Sequence, residues 1–86
     1  MNFKFSRHVE EEIERRKIPK DLIESVLQNP QQIVEEYESK KAYQAKIDFG
    51  GGKIYLLRVI VADEIDPAVV VTVYRTSKIK KYWREL

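Results

Sequence analysis

The sequence has no cysteine and only one histidine, one methionine and one tryptophan. Without cysteine there is no disulfide framework and no thiolate nucleophile. A single histidine with no cysteine does not build an ordinary zinc centre. Glycine and proline are equally sparse, at three each, and the glycines are contiguous as Gly50-Gly51-Gly52. That run is not followed by a helical pattern, so it reads as a hairpin connection rather than a phosphate-cradling loop. No apolar stretch approaches membrane-spanning length, and Met1 to Phe5 lacks the apolar region of a secretory leader. Repeats, linkers and low-complexity segments are also missing. Glu10-Glu11-Glu12 lies where a helix starts, and Asp63 and Asp66 flank a turn, so local structure accounts for these carboxylates. The expectation is a cytoplasmic chain without metal, cofactor or membrane partner.

What remains is one small domain, residues 1–86, with 43% hydrophobic and 35% charged residues. Its net charge is only +2, but the charge is unevenly placed. Residues 1–38 hold six Lys/Arg against nine Asp/Glu, a net of −3, whereas residues 67–86 hold five against one, a net of +4. The local field at the C-terminal end is therefore positive.

Ser6 reads as a helix N-cap, with acidic residues in the first turns and Arg15, Arg16 and Lys17 at the far end. This predicts a helix over about 6–17, with Val9 and Ile13 on its apolar stripe and Arg16 falling on the same stripe. Pro19 opens a second helix, spaced by Leu22, Ile23, Val26 and Leu27 and stopped at Asn29-Pro30. After Pro30 the period changes to two. Strands are predicted at 33–37, 43–49, 54–62 and 68–76, and a short terminal helix at 78–85 is capped by Ser77. Two helices followed by four strands predict an α+β fold, with both helices packed on one face of a four-stranded antiparallel sheet.

Both late strands are apolar on nearly every residue, which suits strands covered on both faces. Pairing Leu57 with Val73, Val59 with Val71 and Val61 with Val69 collects the best apolar positions on one face. That register sets Arg58 opposite Thr72 and Leu56 opposite Tyr74, so Arg58, Thr72 and Tyr74 cluster on the other face. Arg58 is hard to dismiss there, because a charge in an apolar strand needs a partner, an edge or a site. Asp48, one strand away, is a candidate partner.

One chemistry needs nothing the sequence lacks: metal-independent cleavage of RNA. It requires a group to take the 2′-hydroxyl proton, an acid for the leaving 5′-oxygen, and cations for the charge that develops on phosphorus. His8, Arg16, Arg58 and Tyr74 are the candidate catalytic residues. His8 or Tyr74 would transfer the proton, and Arg16 and Arg58 would hold the scissile phosphate. Arg75, Lys78, Lys80, Lys81 and Tyr82 are the candidate RNA-binding residues, since cations interleaved with aromatics hold phosphates and stack bases. Each has a plainer reading. His8 suits a helix surface, Arg16 a side chain snorkelling past the helix end, and Tyr74 sheet packing. Tyr82 and Trp83 suit pinning the terminal segment to the core.

Phe5-Ser6-Arg7-His8, Arg16-Lys17-Ile18, Leu27-Gln28-Asn29-Pro30, Leu57-Arg58-Val59-Ile60-Val61 and Thr72-Val73-Tyr74 occur in that order along nearly the whole chain. Together they resemble a small prokaryotic domain-of-unknown-function family that is similar to the RelE-like and BrnT-like toxins of type II toxin–antitoxin systems. The resemblance implies a barnase–RelE ribonuclease-like fold and a toxin-type endoribonuclease acting on RNA. It implies functional positions at His8, Arg16, Thr72 and Tyr74, and a cognate antitoxin as partner. The rival readings are a non-catalytic module of the same fold that binds protein or nucleic acid, and a structural protein whose polar cluster is incidental. A homodimer is left open.

Overall fold

The computed structural model describes residues 2–85. In chain order it contains β1 (Phe3–Phe5), α1 (Arg7–Arg16), α2 (Lys20–Gln28), β2 (Gln32–Glu35), β3 (Lys41–Asp48), β4 (Ile54–Ala62), β5 (Ala68–Thr76) and α3 (Ile79–Tyr82). The fold is α+β, as the pattern predicts, but the sheet differs. It has five strands in the order β1-β5-β4-β3-β2 and is mixed, because β1 runs parallel to β5 through Phe3↔Ala68 and Phe5↔Val70. A three-residue strand directly before an N-cap is too short for periodicity to reveal it, so the expected four-stranded antiparallel sheet is incomplete by one edge.

Local signals explain most of the remaining elements. The Ser6 hydroxyl accepts the Val9 N–H at 3.1 Å and starts α1. At its other end Lys17 adopts φ 55°, and the N–H groups of Lys17 and Ile18 close onto the carbonyls of Glu14 and Ile13. Pro19 is the N-cap of α2 rather than a residue inside it. The glycine run takes φ of 117°, 66° and 78° between β3 and β4, and a Cβ there would meet no neighbour. Backbone conformation, not space, is what calls for glycine at this turn. The predicted terminal helix shrinks to the single turn Ile79–Tyr82, and Lys78 instead of Ser77 precedes it without a side-chain cap.

Helices α1 and α2 cover one face of the sheet. Val9, Ile13, Ile18, Ile23, Val26 and Leu27 meet Tyr43, Ala45, Leu57, Val59, Val61, Ala68, Val70 and Val73 in one buried cluster. Within it α1 packs along β5, while α2 packs over β3 and β4.

The expected β4–β5 register is corrected. Val59 stands opposite Val73, Arg58 opposite Tyr74, Leu57 opposite Arg75 and Ile60 opposite Thr72, a shift of two residues. Because the shift is even, every side chain up to Ile60 keeps its predicted face. Between Ile60 and Val61 the register slips again: Val61 pairs with Val70, leaving Val71 unpaired as a bulge. The bulge turns Val70 to the helix side, where it is fully buried in the core. Without the bulge, the alternation of the expected register would put Val70 on the face with Leu56 and Ile60.

Candidate functional site

Two polar clusters divide the predicted catalytic residues between them. The first gathers on α1 around Glu12. Glu12 follows Val9 by three residues and precedes Ile13, so the helix turn that buries those two carries it inward as well. Its side chain is only 6% exposed. Strand β1 ends at Phe5, opposite Val70, so beyond that point α1 rather than another strand lies along β5. There Glu12 Oε1 accepts the Thr72 hydroxyl at 2.7 Å and the Val73 N–H at 3.4 Å.

Its other oxygen, Oε2, faces three basic side chains of the same helix: His8 Nε2 at 3.4 Å, Arg16 at 3.5 Å and Arg15 at 4.0 Å. His8 and Arg16 lie one helical turn before and after Glu12, the spacing at which helix side chains meet. Burial on its own would raise the Glu12 pKa. The Thr72 and Val73 hydrogen bonds and the charges of Arg16 and His8 outweigh it, and the carboxyl titrates below its ordinary value. The result is a fixed anion with an exposed cationic rim, the Arg15 side chain being 63% exposed.

The second cluster lies on the sheet face away from α1 and α2. Gln32 pairs with Gln44, Gln44 with Arg58 and Arg58 with Tyr74, so one transverse rung of polar side chains crosses β2, β3, β4 and β5. Arg58, 1% exposed, makes three hydrogen bonds: to Gln44 Oε1 at 2.8 Å, the Tyr74 hydroxyl at 2.6 Å and Glu36 Oε2 at 2.8 Å. Its partner is therefore Glu36, reached from the end of β2, and not Asp48, whose carboxylate accepts the Gly50 N–H. Burial alone would favour the uncharged guanidine, but the bonds to Glu36 and Tyr74 prevail and hold Arg58 firmly cationic. Burial pushes the Tyr74 phenol above its ordinary pKa, with Arg58 opposing. Tyr74 therefore keeps its proton, and its oxygen is occupied as an acceptor from Arg58.

The C-terminal segment closes over this rung. The Tyr82 ring lies 4.3 Å from the Arg58 guanidinium and edge-on to Tyr74, and the Trp83 ring lies 4.0 Å from the Lys46 ammonium. The plainer reading of Tyr82 and Trp83, pinning the terminal segment, describes their placement.

No hydrogen bond or ion pair among the described residues joins the two clusters. His8 and Arg16 come together with Thr72; Arg58 and Tyr74 come together elsewhere, and Tyr82 joins them. Arg75 belongs to neither, since it faces the helix side opposite Leu57, with its guanidinium 4.5 Å from the Phe49 ring and 4.8 Å from Tyr55. Lys78, Lys80 and Lys81 are exposed on and before α3. No group of three or more His, Cys, Asp or Glu that would hold a metal ion occurs among the described residues, and no described helix is long and apolar enough to cross a membrane.

Glu12, Arg15, Gln32, Glu36 and Gln44 are the polar residues of the two clusters that the sequence pattern did not single out. His8, Glu12 and Arg16 at consecutive four-residue steps were a legible signal for the first cluster; the contact with Thr72 was not, because it depends on where β1 stops. Neither a curated protein nor a solved structure matches the chain. A family model does match, over residues 5–75, a span that includes the Glu12 cluster and the polar rung and stops short of α3: the chain belongs to the family described as Domain of unknown function (DUF4258).

Proposed function

We propose that this protein is a metal-independent endoribonuclease whose reaction centre is the His8–Glu12–Arg16 cluster. The observation that carries the reading is the buried Glu12 carboxylate, locked by Thr72 and Val73 on one oxygen and presenting the other to His8, Arg15 and Arg16. A carboxylate held in this way orients an imidazole and balances the charge it acquires. His8 Nε2 lies 3.4 Å from Glu12 Oε2, an ion-pair distance; in the tautomer with the proton on Nε2, Nδ1 carries the lone pair and takes the proton of the RNA 2′-hydroxyl. The 2′-oxygen attacks phosphorus while Arg15 and Arg16 offset the charge that builds on the phosphoryl oxygens. The imidazolium then returns the proton to the departing 5′-oxygen. The products are a 2′,3′-cyclic phosphate and a 5′-hydroxyl, and His8 ends as it began.

Arg58 and Tyr74 support the sheet in this reading and do not touch RNA. Lys78 and Lys80, exposed beyond the end of β5, hold flanking phosphates. The positions implied by the sequence resemblance to RelE-like and BrnT-like toxins overlap this assignment at His8, Arg16 and Thr72 and part from it at Tyr74, and a partner protein that blocks the cationic rim belongs to the same proposal.

The test is incubation of the purified chain with end-labelled single-stranded RNA in a chelator. Cleavage products ending in 2′,3′-cyclic phosphate are expected, and intact RNA at all protein concentrations would overturn the enzymatic reading. A second reading, a binding module that holds RNA without cutting it, is favoured by one observation: the cluster holds a single imidazole, so one group would have to act as both base and acid. Salt-sensitive RNA binding with no cleavage would select it.

A further inference from the structure

Arg75 is the one predicted RNA-binding residue on β5, and neither polar cluster uses it. It lies opposite Leu57, on the sheet face that α1 and α2 cover. Its guanidinium sits beside two rings, 4.5 Å from the centre of Phe49 and 4.8 Å from that of Tyr55. The rings meet edge to face, their centres 5.7 Å apart. Register explains the grouping. Tyr55 pairs with Ile47, Phe49 follows Ile47 by two residues on the same face, and Arg75 is their diagonal neighbour on β5.

Among the described residues no carboxylate forms an ion pair with Arg75. Arg75 is exposed, whereas Phe49 and Tyr55 are half-buried. The rings therefore back one side of the guanidinium and leave its other side open. Arg58, by contrast, is buried and bonded to Glu36.

The place of this platform relative to Glu12 follows from β5. The Ser6 N–H donates to the Val70 carbonyl, and Glu12 reaches Thr72 and Val73, so α1 advances along β5 toward Arg75. Arg16, one turn past Glu12, carries the cationic rim the same way. Val73 and Arg75 share a face and lie two strand residues apart, about 7 Å. One nucleotide of an extended single strand spans such a gap.

We infer that Phe49, Tyr55 and Arg75 form a base-stacking subsite, one nucleotide from the phosphate held at the Glu12 cluster. The inference rests on the proposed placement of RNA at that cluster. It names the substrate class: single-stranded RNA with a flanking base free to leave its stack. That base lies on the open side of the Arg75 guanidinium, with the two rings behind it. Stacking on an arginine plane and aromatic rings accepts every base, so the subsite selects single strands over duplex without reading sequence.

The test separates binding from cleavage and uses the full chain. Fluorescence anisotropy follows a short labelled 2′-O-methyl RNA, which lacks the attacking hydroxyl, and an abasic backbone of the same length and charge. Wild-type protein is expected to bind the RNA at least about tenfold tighter than the abasic backbone. Arg75→Lys keeps the charge and loses the planar guanidinium. It should hold the abasic backbone as wild type does and lose most of the preference for bases. Tyr55→Leu should reduce that preference in the same direction.

Equal binding of the two probes by wild type, or a base preference that Arg75→Lys retains, would overturn the subsite. Cleavage of unmodified RNA, followed alongside, keeps the two proposals apart. Cleavage without a base preference removes the subsite and leaves the reaction centre standing. A preference that Arg75→Lys loses, with no cleavage, supports the subsite and removes the reaction centre. Failure of wild type to bind either probe would overturn both.

Discussion

Replacing Glu12 with alanine leaves the Thr72 hydroxyl and the Val73 N–H without their acceptor, and a loss of about 1–3 kcal/mol of folding stability is expected from chemical denaturation. The depressed pKa fixes the sign of the pH dependence. A carboxyl that titrates lower in the folded than in the unfolded chain contributes stability above its unfolded pKa, and that contribution is lost as pH falls through the folded value. Wild-type protein should therefore destabilise below the ordinary carboxylate range, and Glu12→Gln should flatten that acid limb; an unchanged limb would contradict the assignment. Arg58 behaves differently, because its three bonds require the planar fork of a guanidinium. Arg58→Lys keeps the charge, loses most of this geometry, and should cost about 2–4 kcal/mol by the same measurement. At this scale the sequence was informative about identity and weak about partners. Arg58 stood out as a charge in an apolar strand, yet Glu36 reaches it across two intervening strand pairings that no local pattern encodes. Glu12 was hidden by a sufficient local explanation, its place in the acidic run Glu10-Glu11-Glu12 near the start of α1.

Elements were legible wherever a strong local signal fixed their ends. Ser6, Asn29-Pro30 and the glycine run marked their boundaries because a cap, a blocked N–H and positive φ each have one structural use. Strand β1 and the bulge at Val71 were not legible. Three residues carry no measurable period, and a bulge is decided by which neighbours the strand meets, here β1 on one side and β4 on the other. The consequence is practical, since the end of β1 at Phe5 is what leaves the Thr72–Val73 edge to Glu12. The same reasoning applies to the terminal segment, where the sequence showed Tyr82 and Trp83 but not the rung beneath them. Gln32→Ala removes both bonds to Arg84, so a red-shifted Trp83 emission with unchanged far-UV circular dichroism is expected. An unshifted spectrum would mean the segment is held by other contacts.

For the molecule as a whole, the sheet separates two polar centres that the sequence had merged into one. The helix-side edge of β5 carries a carboxylate ringed by cations, and the opposite face carries a buried rung under the chain's own tail. The proposed function is placed on the first because its arginines are exposed, and a structural role on the second because its arginine is not. The most direct test of that division is the rate of RNA cleavage in chelator by full-length wild type, His8→Ala and Tyr74→Phe, each confirmed as folded. The account predicts that His8→Ala slows cleavage by about a hundredfold or more while Tyr74→Phe changes it by less than about tenfold. Equal losses in both variants, or undiminished cleavage by His8→Ala, would contradict it.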